Sequence, residues 1–270
     1  MKSTVILMLV VGITLVSADT LDFSRQAVYV TMLERQNLGS FAHGNLTARV
    51  LEVLGRASYD RDITVREFLT SHPREALRLE RMTLPVIQGE TRFGSDGSVS
   101  TDYRVPLTGS IMVQILPKTG GGRLLGRVAC PCCGQEWPEG VDVPEGVELV
   151  PYETGTDPGY TGILIDGRGL GYKPALFPRV VNEKDLEVYG PGFVEEKELA
   201  VSGMVAYYQS RTEALASERI GANPLAVRAI GVTGTNACDF VVSAHDAAKI
   251  HGSKANLELL AKCRVGFLVD

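Results

Sequence analysis

The chain has no concentrated positive charge. Its 27 Lys and Arg are dispersed among 32 Asp and Glu. No basic run occurs, so the electrostatic footprint of a nucleic-acid binder is missing. Beyond residue 18 there is no apolar stretch long enough for a membrane span, which takes about 20 residues. Histidine is scarce and scattered, at His43, His72, His245 and His251. Neither an H-E-x-x-H nor a G-x-S-x-G pattern occurs, which removes the zincin and serine-hydrolase signatures. Carboxylates are plentiful, but spacing picks out no pair, and no nucleophile sits beside a base. The expectation is a protein that is not an enzyme.

What is present begins with a leader. Lys2 supplies a short positive region, residues 5–16 are apolar apart from Gly12 and Thr14, and Val16-Ser17-Ala18 ends in small residues. This is the pattern of a cleavable signal peptide, with cleavage before Asp19. No cysteine follows the apolar run, so lipid attachment there is excluded. The expected location is therefore the periplasm or the cell surface and exterior, with no transmembrane span left after cleavage. Composition is that of an ordinary globular protein, at 44% hydrophobic and 22% charged, which argues against disorder. The formal net charge of −5 favours solubility and specifies no ligand.

The expected fold class is α+β, in four segments. Residues 1–18 are the leader. Residues 19–118 form an N-terminal domain of helices packed on an antiparallel β-hairpin sheet. Residues 119–158 form a cysteine- and proline-rich connector. Residues 159–270 form a C-terminal mixed-sheet α/β domain ending in β-α-β. Ser24 can cap a helix over 24–56, where apolar residues recur at roughly helical spacing. Thr64-Val-Arg-Glu67 is a capping box for a second helix over 64–81, which His72-Pro73 can break. Asp96-Gly97 sits between alternating stretches at 83–93 and 98–116 and supplies a tight hairpin turn. Further along, strands are expected at 161–165, 180–181, 201–209, 225–232, 240–243 and 264–269, with helices at 211–220 and 244–262.

The five cysteines are an odd number in a compartment that permits disulfides. Cys130-Pro-Cys132-Cys133-Gly134 is the densest chemistry in the chain. It suits a disulfide staple, or zinc or another soft transition metal. A closed zinc site needs four ligands, so the three thiols require a further donor, either from a distant residue or from a second subunit. Gly134 stands where a c-type haem motif needs histidine. Thioredoxin-like redox use wants the first cysteine at a helix N-terminus, which the prolines discourage. Cys238 and Cys263 precede the two strands of the terminal β-α-β. If those strands are adjacent, the two can form a bridge worth about 3 kcal/mol; otherwise they are two buried thiols. Asp166-Gly-Arg-Gly-Leu-Gly171 departs from the G-x-G-x-x-G spacing and reads as a glycine-dependent turn, with a local pair between Asp166 and Arg168.

Two stretches carry a resemblance. Glu90-Thr-Arg-Phe-Gly-Ser-Asp-Gly-Ser-Val-Ser-Thr-Asp-Tyr-Arg-Val-Pro-Leu-Thr-Gly109 resembles the FlgP-like bacterial surface and flagellar lipoproteins. Residues 160–179, with Asn223-Pro-Leu-Ala-Val227 and the ending Cys263-Arg-Val-Gly-Phe-Leu-Val-Asp270, look like exported bacterial proteins, some of them compared with FlgT-like flagellar components. The resemblance implies a structural or assembly role in the cell envelope, through self-association or contact with other envelope proteins, and brings no catalytic residues. The chain departs from the lipoproteins by lacking the lipid-bearing cysteine. The alternative is an extracytoplasmic metal-binding or redox protein built on Cys130, Cys132 and Cys133.

Overall fold

The computed structural model describes residues 19–35, 42–118, 122–153 and 158–270; the expected leader, residues 1–18, lies outside them. The fold is α+β. It opens with β1 (Thr20–Asp22), β2 (Ala27–Arg35), α1 (Ala42–Leu54), α2 (Val65–Ser71) and α3 (Pro73–Arg81). The hairpin β3 (Ile87–Phe93) and β4 (Ser98–Pro106) follows, then α4 (Ser110–Gln114). Among its described residues the connector holds β5 (Val128–Ala129) and β6 (Val150–Pro151). The C-terminal part runs β7 (Ile163–Asp166), β8 (Val180–Asn182), β9 (Glu187–Tyr189), α5 (Glu196–Ser202), β10 (Ala206–Tyr208) and α6 (Arg211–Ala216). It finishes with β11 (Leu225–Arg228), β12 (Gly231–Thr233), β13 (Asp239–Val242), α7 (Ala244–Ile250), α8 (Lys254–Ala261) and β14 (Val265–Leu268).

The N-terminal sheet has the order β1-β2-β4-β3 and is antiparallel throughout. The Asp-Gly turn forms as expected. Gly97 takes φ +77°, a conformation glycine adopts without steric cost, and the Gly94 N–H closes on the Ser98 carbonyl at 2.8 Å. The helix expected over 24–56 is corrected: its first half is strand. Val28 and Val30 are buried, while Tyr29, Thr31 and Leu33 are less so. This is a period of two in β-branched and aromatic residues, which prefer a pleated surface. Residues 36–41 lie outside the described residues, and of the rest α1 is helix, with Leu46, Val50, Val53 and Leu54 buried.

The capping box is present: the Thr64 hydroxyl accepts from the Glu67 N–H at 3.3 Å, and the Thr64 N–H donates to the Glu67 carboxylate at 2.7 Å. The 64–81 helix breaks at Pro73, which starts α3, because proline's ring restricts His72 to non-helical backbone. The helix expected over 244–262 is likewise two helices. Ser243 caps α7 and Ser253 caps α8, with Gly252 between.

Two sheets build the C-terminal part. In the order β10-β14-β7-β11 all pairs are parallel. β14 is wholly buried, as are Ile163, Leu164 and Ile165 of β7, the pattern of strands covered on both faces. Each such side chain contributes about 1.5–3 kcal/mol of burial. The other sheet, β12-β13-β8-β9, is mixed. The expected terminal β-α-β is therefore corrected: β13 and β14 flank α7 and α8 but lie in different sheets. The 225–232 strand also divides, into β11 of one sheet and β12 of the other.

A single core cluster joins the N- and C-terminal parts. Tyr59 stacks on Phe68 at 4.1 Å and meets Phe177 edge-on at 5.1 Å. Backbone bonds cross as well, from Leu176 N–H to Ser58 O at 3.0 Å and from Phe177 N–H to Tyr59 O at 2.9 Å. The Asp166–Gly171 turn forms, with Gly169 at φ +80° and Arg168 paired to Asp166 at 2.6 and 2.9 Å. The Gly169 N–H, where a phosphate would have to sit, donates to the Asp270 carboxylate at 2.9 Å.

Candidate functional site

The cysteine loop sits at the tip of a small antiparallel structure. β5 pairs with β6, and Ala129 bridges to Glu136. The Trp137 N–H donates to Val128 O at 2.7 Å and the Cys130 N–H to Gln135 O at 2.9 Å. The chain reverses through Gly134, whose φ is +71° and whose N–H returns to Cys130 O at 2.9 Å. Arg127 pairs with Glu136 and lies over the Tyr152 ring at 4.7 Å. Residues 131–136 are all exposed.

Within this loop the three thiols are free, with Cys130 part-exposed and Cys132 and Cys133 exposed. The backbone N–H groups of Cys133 and Cys132 both bond the Cys130 sulfur and hold its pKa below the ordinary thiol value. The Cys133 and Cys132 thiols are also within hydrogen-bonding reach of it. Such N–H donors favour the thiolate, the form that binds metal and attacks disulfides. The loop opens no helix, so the dipole that activates thioredoxin-like cysteines is missing here. Among the described residues, no group of three or more His, Cys, Asp or Glu is placed to hold a metal ion.

Cys238 and Cys263 behave differently. Both are free and fully buried. The expected bridge rests on adjacent strands, and the separation of β13 and β14 into two sheets removes that basis. Burial pushes both thiols well up, Cys263 to about 11, so they stay protonated and inert.

Beside the loop, the connector and the C-terminal part enclose an open cleft of about 1540 Å³, with Leu124, Val141, Val147, Leu186 and Phe193 among its walls. That exceeds the usual 300–1,000 Å³ of a small-ligand pocket, and its charged walls are Arg123, Arg127, Glu136, Glu139, Glu148 and Lys184. His251 ties the connector to its neighbour. Its Nδ1 accepts from the Leu125 N–H at 2.8 Å, and its Nε2 donates to Val188 O at 2.7 Å. Burial lowers its pKa, so it is neutral in the folded chain and gains a proton more readily on unfolding. Stability from this residue is complete above pH 6.5 and is lost as pH falls below it. His251→Gln is expected to cost about 1–2 kcal/mol and to flatten that acid-side slope, measured by chemical unfolding between pH 5 and 8.

Sequence reasoning put the cysteine loop in a structured connector and set His245 and His251, six residues apart, on different sides of one helix; His245 is exposed and His251 buried. It missed Arg219 and Asp239, whose partners lie far along the chain. No helix among the described residues is long and apolar enough to cross a membrane. No curated protein matches the chain. Its C-terminal part, beginning one residue before β7, does have a relative: residues 162–270 match the family described as Treponema pallidum Tp0624, second domain.

Proposed function

We infer that the protein is an exported, non-enzymatic structural or assembly component of the bacterial cell envelope, acting through self-association or contact with other envelope proteins. The observation that carries this is the edge strand β3. Among the described residues it is bonded on one side only, to β4, and nearly all of it is exposed. Phe93 is 79% exposed and Ile87 50%. An edge of this kind offers unpaired backbone groups and apolar side chains to another chain. The match of residues 162–270 to a domain of a Treponema pallidum protein supports a bacterial setting. A flagellum-associated place rests only on the resemblance of residues 90–109 and 160–179.

Sedimentation of the chain beginning at Asp19 tests the reading. An oligomer is expected, weakened about tenfold or more by the paired change Ile87→Lys and Phe93→Asp, equivalent to about 1.4 kcal/mol. A monomer at the highest attainable concentration sinks it. The second reading, a soft-metal or redox protein, is supported by the N–H groups aimed at the Cys130 sulfur.

A further inference from the structure

We propose that the Cys130 loop is half of a zinc-class metal site, completed by the same loop of a second copy of this chain. A C-x-x-C pair on a tight turn places two sulfurs toward one point. Cys130 and Cys133 have that spacing: the thiols of Cys133 and Cys132 are both within hydrogen-bonding reach of Cys130, and the turn is set by Gly134 and the Gly134 N–H to Cys130 O bond. A structural zinc site is tetrahedral and takes four ligands, commonly four thiolates with Zn–S near 2.3 Å. One chain falls short of this, since no set of three or more ligating side chains converges among the described residues.

The rest of the loop fits completion from outside. Residues 131–136 are all exposed, and the space beside Gly134 is open. The base is braced by the β5–β6 pairing and by the Arg127–Glu136 ion pair. An exposed half-site braced at its base lets two copies meet loop to loop without unfolding either. Binding one Zn²⁺ releases four thiol protons, two from each chain, and leaves a tetrathiolate centre of net charge −2; no electron moves. Affinity therefore rises with pH. Cys132 is exposed and, although its thiol also reaches Cys130, lies outside the C-x-x-C spacing and is not needed to complete four ligands.

This deepens the self-association reading by naming one contact and its chemistry. The test uses the reduced chain from Asp19, stripped with chelator, then titrated with Zn²⁺ or with Co²⁺ as a spectroscopic probe. The expected result is half an ion per chain, a doubling of mass on metal addition, and the intense sulfur-to-cobalt absorption of a tetrahedral tetrathiolate site. Cys130→Ser and Cys133→Ser each abolish all three, with unchanged circular dichroism, whereas Cys132→Ser retains them. One ion per monomer overturns the shared site, as does equal binding by the Cys130→Ser, Cys133→Ser double variant. An oligomer that ignores both metal and chelator overturns the shared site and leaves the assembly reading standing. A monomer with and without metal overturns both.

Discussion

Arg219→Met lowers the free energy of unfolding by about 3–5 kcal/mol, the largest expected loss from a single side chain here. The guanidinium donates only to carbonyls. Nε bonds Cys263 O at 2.6 Å, Nη1 bonds Ser202 O at 2.6 Å, and Nη2 bonds Gly203 O and Met204 O at 2.8 Å each. Ser202 and Gly203 end α5, where the last carbonyls of a helix have no partner within it. Cys263 lies just before β14, so one planar group holds a helix end against the strand that pairs with β7. Methionine matches much of the length and none of the donors, leaving several buried carbonyls unpaired. Lysine restores a charge and three donors but not the fork, so Arg219→Lys is expected to recover part of the loss. Guanidinium unfolding of the two variants, with m-values compared, measures this. A loss below about 1 kcal/mol in Arg219→Met would show that water replaces the guanidinium at these carbonyls.

The pH dependence of stability is expected to carry the signature of Asp239. This carboxylate is fully buried. It accepts from the Arg179 N–H at 2.9 Å and from Arg179 Nε at 3.0 Å, with Arg61 Nε 3.9 Å away. Burial raises its pKa to about 6, against the opposing pull of Arg179 and Arg61. The unfolded carboxyl titrates near 3.8. Between those values the folded chain holds a proton that the unfolded chain has lost. Stability therefore falls as pH rises from about 4 to about 6 and levels off above, by about 3 kcal/mol for a shift of about two units. Asp239→Asn keeps an acceptor for the Arg179 N–H and cannot ionise, so it removes this slope. His251 acts in the opposite sense over the same range, so the informative quantity is the difference between wild type and variant. Identical unfolding profiles for the two from pH 4 to 7 would place the ionisation elsewhere.

The parts of the fold legible in the sequence share a physical trait: their signals are local. The capping box at Thr64, the cap at Ser243, the Asp96-Gly97 turn and the glycines of residues 166–171 each act within four or five residues. The buried run at 163–165 and the alternation in β4 were readable for the same reason. Errors arose where local patterns were ambiguous. Residues 27–33 carry apolar side chains at spacings compatible with either period, and β-branched content favours strand once α1 and β4 pack against it. Residues 244–262 have the composition of one helix, but Gly252 and Ser253 end one and cap the next. The cysteine loop was legible as a candidate site because its chemistry is contained in five consecutive residues.

What the sequence by itself determined is therefore the α+β character, the turns and caps, and the position of the thiol loop, all of which depend on neighbours a few residues apart. Tertiary structure decided the rest. It assigned β13 and β14 to different sheets, which separates Cys238 from Cys263 and leaves each a buried, protonated thiol. It also brought Arg219 to four distant carbonyls and Asp239 to two arginines. Strand order, burial and long-range charge pairing depend on which surfaces meet across the core, and no short window of residues contains that information.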